Sequence, residues 1–277
     1  MSSGVVPFEY QRLDGDWAEV AGEVIEEAFV SIFVNGQELA TIMSTPRDQD
    51  KLALGFLRNE NIIEGLDDVR AVHICPSGSC VDVWLRHGEF KPPQRRILTS
   101  GCGGGVTFTD LAETLPPLES GVCMPAATVS ALMIEMQRGG TLYARSRGVH
   151  TAGLALGAEL RAVAEDVGRH NTLDKLRGDF MLRGLDPRDH ILLTTGRISS
   201  EMISKAARMG CPIVASRTSP TSMSVWLARE WNITLCGYVR RGRMNVYAHP
   251  ERLENNGTAS NDAVAGGAAV REILVAV

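Results

Sequence analysis

Positive charge is scarce in this sequence. Lysine and arginine number 28 against 33 acidic residues, for a formal net charge of −5. That balance excludes a global basic surface of the kind that binds nucleic acid, although Arg240-Arg241-Gly242-Arg243 form one dense local cluster. No apolar run approaches the ~20 residues of a membrane-spanning helix. The opening MSSGVVPFEY lacks the charged-then-apolar order of a secretory signal, so a cytoplasmic location is expected. Internal repeats, a P-loop and a G-x-G-x-x-G fingerprint are all missing. What remains is ordinary for a soluble globular protein of one or two domains: 277 residues, 44% hydrophobic and 22% charged.

Six cysteines, at 75, 80, 102, 123, 211 and 236, are spread through the chain. In a reducing compartment they are expected to be thiols rather than a disulfide framework. Cys211 and Cys236 lie in apolar runs and read as small buried hydrophobes. Cys75 and Cys80 bracket Pro76-Ser77-Gly78-Ser79, a hairpin loop. A zinc or redox pair there lacks a second Cys or His pair to complete it. Cys102 differs, because it stands in Thr99-Ser100-Gly101-Cys102-Gly103-Gly104-Gly105 with almost no side chains around it. A glycine tether costs ordering entropy. It suits a thiol that must reach a partner, take a group and deliver it. Gly105 occupies the place where a C-x-x-C motif would carry its second cysteine.

Residues 28–43 hold two β-branched runs around Asn35-Gly36, a strong two-residue hairpin signal. Thr45-Pro46 reads as an N-cap and first position for a helix through KLALGFLRNE. A second hairpin is expected over 69–86, and a helix over 126–138 ends at Gly139-Gly140 with its methionines filling core. From residue 150 strands and helices alternate in a βαβαβ pattern that predicts parallel crossovers. The fold class is α/β, with a smaller N-terminal β-rich part. The expected organisation is a hairpin-rich region over 1–125 with the Cys102 loop, an α/β cofactor-binding region over 126–253, and a partly disordered tail over 254–277.

Two loops follow strands and open helices: Thr194 to Ser200, containing Arg197 and Ser199, and Ser216 to Thr221, containing Ser219. Ligands of open α/β sheets bind at such edges. Helix N-termini with hydroxyls and an arginine suit phosphate, although the same serines and threonines serve as N-caps. The stretch Ala164 to Asn171 contains His170. It reads either as a polar site wall or as a capped helix start, with Asp166 or Asn171 capping and Arg169 paired to Glu165. His150 reads as structural.

The blocks GFLRNENIIEG (55–65), TSGCGGG (99–105), GVHTAGLA (148–155), AEDVGRHNTLDKLRG (164–178) and TTGRISSEM onward to VYAHP (194–250) occur in this order. On them the chain resembles the formate dehydrogenase accessory sulfurtransferase family, FdhD. The first ~25 residues and those after 254 lie outside the match. The resemblance implies a cytidine-deaminase-like mixed sheet with flanking helices, assembled as a homodimer. Deaminase chemistry is not implied, because no H-x-E with P-C-x-x-C supplies zinc ligands.

The resemblance further implies a sulfurtransferase. Cys102 matches the persulfide-carrying cysteine, which takes sulfur from a cysteine desulfurase. The sulfur goes to Mo-bis(molybdopterin guanine dinucleotide), the molybdenum cofactor of formate dehydrogenase, with GDP or GTP as a partial mimic. Tyr238, Val239, Arg240, Arg241, Gly242 and Arg243 match the cofactor-binding segment; Arg197, Ser199, Ser219, Thr221 and His170 are weaker candidates. No metal of the protein's own is expected. Gly105 departs from the C-x-x-C that many members carry, which leaves a single-cysteine relay. The alternatives are a non-catalytic chaperone of an already sulfurated cofactor and a guanine-nucleotide-binding regulator.

Overall fold

The computed structural model describes residues 2–88, 90–93 and 115–254, together with the backbone of two short strands at 97–98 and 106–107. Cys102 and the tail from 255 therefore lie outside the described residues. The chain opens with a feature the sequence reading did not assign. Strands β1 (Val5–Asp14) and β2 (Asp16–Ile25) form an antiparallel ribbon that turns at Gly15, φ 81°. Directly opposed residues share a face, so Val6, Phe8, Tyr10, Val20 and Val24 line one side. Four of these five are well exposed. The base of the ribbon packs Val5 and Ile25 against Leu142 and Val149.

Strands β3 (Ala28–Val34) and β4 (Gln37–Ser44) follow as the expected hairpin, with Asn35 and Gly36 at φ 51° and 78°. Both positive angles are what a type I′ turn demands. Helix α1 (Gln49–Asn59) starts later than Thr45-Pro46 predicted. Asp48 occupies its N-cap at φ 56° without a side-chain cap. Thr45 is withdrawn from capping because a buried network takes it: its N–H donates to Asp166 at 3.2 Å and its carbonyl accepts from Lys175 Nζ at 3.1 Å. The second expected hairpin, β5 (Val69–Ile74) and β6 (Cys80–Leu85), completes a four-stranded sheet in the order β4-β3-β6-β5. Val30, Ile32 and Val34 alternate inward against Leu52, Phe56 and Leu57 of α1.

The next strands, β7 (Ile97–Leu98) and β8 (Val106–Thr107), pair antiparallel on either side of residues 99–105. Then come β9 (Met124–Pro125), α2 (Ala126–Gly139), α3 (Thr141–Ser146), β10 (His150–Leu156), β11 (Glu159–Asp166) and α4 (Arg169–Leu182). The alternation continues with β12 (Ile191–Thr194), α5 (Ser200–Arg208), β13 (Ile213–Ser216), α6 (Ser222–Glu230), β14 (Thr234–Arg240) and β15 (Arg243–Ala248). Strand β16 (Leu253–Glu254) pairs with β9. The large sheet runs β11-β10-β12-β13-β14-β15. Its centre, β12-β13-β14, is parallel, as the βαβαβ rhythm predicts, and both flanks are antiparallel. One face is covered by α4, α5 and α6 through Leu173, Phe180, Met202, Leu227 and Trp231. The other carries α2, whose Met133 and Met136 are buried among Ile191, Ile213 and Val239. Cys211 and Cys236 are also buried, and burial pushes both thiols up to about 12.

The two cores meet where α1 crosses α4. A Cβ on Gly55 would stand 1.7 Å from the Asp174 carbonyl oxygen, and one on Gly178 would stand 2.0 Å from the Lys51 carbonyl oxygen. Backbone touches backbone there, and only hydrogen fits. Side chains reinforce the crossing. The buried Asp174 carboxylate accepts from Lys205 Nζ of α5 at 2.6 Å and from Asn59 Nδ2 of α1 at 2.7 Å. Lys205 Nζ also lies 5.8 Å from the Phe56 ring centroid. Gly55→Ala and Gly178→Ala should each destabilise the protein by about 3 kcal/mol or more, the upper range for overpacking. Gly65→Ala, in open space, should stay within about 0.5 kcal/mol. Urea denaturation distinguishes the two outcomes.

Candidate functional site at the carboxyl edge of the sheet

The parallel strands β12, β13 and β14 deliver three connections to one edge, where crevices of open α/β sheets form. These connections are interlocked. The Arg217 N–H donates to the Thr194 carbonyl at 3.0 Å, and Ser216 Oγ donates to the Gly196 carbonyl at 2.6 Å. The Tyr238 N–H reaches the Thr218 carbonyl at 3.0 Å. Tyr238 adopts φ 52°, which breaks the β14–β15 register between Gly237 and Arg240. The strand resumes at Arg240 opposite Arg243, with Arg241 and Gly242 at the tip and Gly242 at φ 71°.

The tip leans onto the neighbouring loop. Arg240 Nη1 donates to the Arg217 carbonyl at 2.5 Å and to the Val239 carbonyl at 2.9 Å. Arg217 Nη1 in turn donates to Gln137 Oε1 of α2. Desolvation and the charges of Arg217 and Arg243 lower the Arg240 guanidinium below its ordinary range. Desolvation is the larger cause; the like charges of Arg217 and Arg243 add to it, and an anion bound there relieves that part. Arg217 is the arginine of the Ser216–Thr221 loop, which the sequence marks as suited to phosphate as a segment rather than by this residue. Tyr238, Arg241, Gly242 and Arg243 are exposed, whereas Val239 is fully buried in the sheet core. Only the backbone of Val239 can face a ligand.

The weaker candidates divide. Ser199 caps α5 by accepting from the Met202 N–H, and Thr221 caps α6 by accepting from the Ser224 N–H. The Ser219 carbonyl accepts from Ile198 N–H at 3.2 Å, which joins the two loops. Arg197 is exposed on the same edge. His170 is buried, with Nε2 2.9 Å from Glu201 Oε2 and 3.2 Å from Ser199 Oγ.

The Ala164–Asn171 junction is a helix start with Gly168 at the N-cap and no side-chain cap, so neither Asp166 nor Asn171 caps α4, and a buried ion pair stands behind it. Asp166 Oδ1 accepts from the Gly168 N–H and Asn171 Nδ2, both at 2.8 Å. Asp166 Oδ2 meets Lys175 Nζ at 2.6 Å and Ser44 Oγ at 2.7 Å. Glu165 turns away to the start of α3, accepting from the Leu142 and Tyr143 N–H groups at 2.8 Å. His150 joins this neighbourhood: a Cβ on Gly196 would meet both His150 Nδ1 and Arg169 Cβ. Burial first, then the charge of Arg169, lowers the His150 pKa.

The fold and edge thus define a mixed α/β protein with a cationic, loop-built sheet edge and no helix among the described residues long and apolar enough to cross a membrane. The sequence profile of the FdhD/NarQ family matches residues 25–254, and the chain belongs to that family. It is 36% identical over 244 residues to the sulfur carrier protein FdhD of Bacillus subtilis (strain 168), covering 86% of this chain and 93% of that one. With the protein of the same name from Staphylococcus aureus (strain MRSA252) it shares 33% over 246 residues, covering 87% and 92%. A crystal structure described as a formate dehydrogenase accessory protein from Desulfotalea psychrophila superposes with a TM-score of 0.72 at 28% identity, covering 90% of this chain and 99% of that one.

His150 yields a stability prediction. Its folded-state pKa lies below its ordinary 6.5, so the unfolded chain takes up the proton first as pH falls. The stabilisation is complete above 6.5 and is lost as pH drops from there towards the folded value. In His150→Gln the urea midpoint should fall less steeply over that window than in the parent. An unchanged slope would assign the acid sensitivity to other groups.

Proposed function

We propose that this chain is a sulfur carrier that serves formate dehydrogenase. It accepts sulfane sulfur on Cys102 as a persulfide from a cysteine desulfurase. It passes that sulfur to the molybdenum cofactor, Mo-bis(molybdopterin guanine dinucleotide), which it holds as cargo. The names of the relatives support the sulfur and formate dehydrogenase parts of this reading. The observation in the molecule that carries the cargo assignment is the cluster of Arg217, Arg240 and Arg243 at the sheet edge, where the Arg240 guanidinium bonds the Arg217 carbonyl and Arg240 stands opposite Arg243. Guanine dinucleotide arms bring phosphates, and arginine forks match phosphate geometry.

The division of labour follows from the residues. Arg240, Arg241 and Arg243 hold phosphate, with Arg197 on the facing loop. Tyr238 presents its exposed ring beside them, and the backbone of Val239 and Gly242 lines the turn. Cys102 stands between β7 and β8 in the chain, and its glycine tether suits a thiol that must visit donor and cargo in turn. A lone thiol is sufficient, because the outer sulfur of a persulfide moves by thiolate attack without a resolving partner. We read the six-stranded sheet and its helices as the cytidine-deaminase-like arrangement, working in the cytoplasm as a homodimer.

A covalent relay and a non-covalent chaperone predict different variants. Cys102→Ser should abolish activation of formate dehydrogenase while leaving GDP binding intact; partial activation would favour the chaperone. Arg240→Ala with Arg243→Ala should weaken GDP binding by about tenfold or more in calorimetry, since hydrogen bonds to charged groups contribute about 1.5–3 kcal/mol. Undiminished GDP affinity would remove the cargo site from this edge.

A further inference from the structure

The β5–β6 hairpin carries a thiol arrangement that the sulfur relay does not use. Ile74 pairs with Val81, and the next residues, Cys75 and Cys80, continue the register with Cys75 N–H donating to the Cys80 carbonyl at 3.0 Å. Opposed residues of an antiparallel pair hold their Cα atoms about 4.5–5.5 Å apart, inside the range that a disulfide spans. Both thiols are free and half-buried. The connection is held from two sides. Gly78 N–H donates to the Cys75 carbonyl at 2.8 Å, and Gln49 at the start of α1 donates its amide to the Gly78 carbonyl at 3.1 Å.

Around Cys75 Sγ the turn builds a cradle. The Cys80 N–H points at the sulfur at 2.8 Å, Ser77 Oγ lies at 3.2 Å and Ser79 Oγ at 3.9 Å. An amide and hydroxyls converging on one sulfur stabilise its anion. Burial raises the Cys75 pKa, but hydrogen bonds from the Cys80 thiol, Ser77, Ser79 and the Cys80 N–H outweigh it and bring the group down to about 6. The hydrogen bond to Cys75, then burial, raises Cys80. The two thiols are thus unequal: one is a thiolate near neutral pH, and the other stays protonated beside it. That asymmetry fits an attacking and a resolving cysteine.

We propose that Cys75 and Cys80 form a second sulfur-handling site, which takes sulfane sulfur from small persulfides or polysulfides and discharges it as hydrogen sulfide. The proposal rests on the sulfur-carrier reading of the chain. In the first step the Cys75 thiolate attacks the outer sulfur of a persulfide R–S–SH. A bond forms between Cys75 Sγ and that outer sulfur, the S–S bond of R–S–SH breaks, and R–S⁻ departs with the electron pair. In the second step Cys80 gives up its proton to solvent and attacks Cys75 Sγ. The cysteine–cysteine disulfide forms, and the terminal sulfur leaves as HS⁻. The sulfane sulfur is reduced to sulfide while the two cysteines are oxidised, so no further oxidant is needed. A thiol reductant restores the dithiol.

The test uses the full chain carrying Cys102→Ala, treated with sodium tetrasulfide near neutral pH and analysed by mass spectrometry with peptide mapping and a sulfide assay. With both hairpin thiols present, sulfide should be released and a Cys75–Cys80 disulfide recovered. Adding Cys80→Ser should trap one extra sulfur atom on Cys75, and adding Cys75→Ser should abolish both signals. Alkylation of Cys75 should run about ten times faster than that of Cys80 at neutral pH, because thiolate is the reactive form. Ser77→Ala should slow it while leaving the fold unchanged by circular dichroism. Sulfur on neither hairpin thiol, or sulfide release undiminished in Cys75→Ser, overturns the proposal. Loading of Cys102 by a desulfurase in the parent chain is scored separately, so failure at the hairpin is distinguishable from failure of the relay.

Discussion

The crossing of α1 over α4 is the constraint on which the rest of the structure depends. Gly55 and Gly178 let two backbones touch, and any side chain at either position would collide with a carbonyl that cannot move without bending a helix. Through that contact the four-stranded sheet and the six-stranded sheet become one body. The crossing also sets where α4 begins. Asp166, Lys175 and Thr45 lock the α4 start to the chain between β4 and α1, and Asp174 with Lys205 carries the constraint into α5. Removing one partner of such a buried pair costs about 3–5 kcal/mol, because the other charge is left uncompensated.

From α5 the same rigidity reaches the candidate site. The loop before α5 is bonded to the loop before α6, and that loop receives both Tyr238 N–H and the Arg240 guanidinium. The arginines are therefore presented by interlocked backbone on the parallel edge, while the cysteine read as the carrier is tethered by glycine. If that edge holds cargo, it does so with its groups already positioned, which is what group delivery requires at the receiving end.

Much of this was legible in the sequence because local chemistry decided it. Asn35-Gly36 dictated its hairpin, and the alternation after residue 150 dictated the parallel centre. The cationic turn at 240–243 was visible as a charge cluster. Other features were illegible because distant residues set them. Thr45 looked like an N-cap until Asp166 and Lys175, more than a hundred residues away, took its backbone. Val239 belonged to the matched binding segment, yet the bulge at Tyr238 turns its side chain into the core. The β1–β2 ribbon, by contrast, was legible, with period-two apolar positions at Val6, Phe8 and Tyr10 and an Asp14-Gly15 turn signal, but it lies outside every family block and went unassigned. The thiolate cradle at Cys75 needed the register of a hairpin before its donors could be counted.

The step on which the proposed function turns is the loading of sulfur on Cys102. Its most direct test is intact mass after incubation with a cysteine desulfurase and cysteine, followed by peptide mapping. One added sulfane sulfur is expected on the 99–105 segment of the parent chain and none there in Cys102→Ala, with the hairpin thiols substituted in both. Equal sulfur uptake by the two proteins would contradict it.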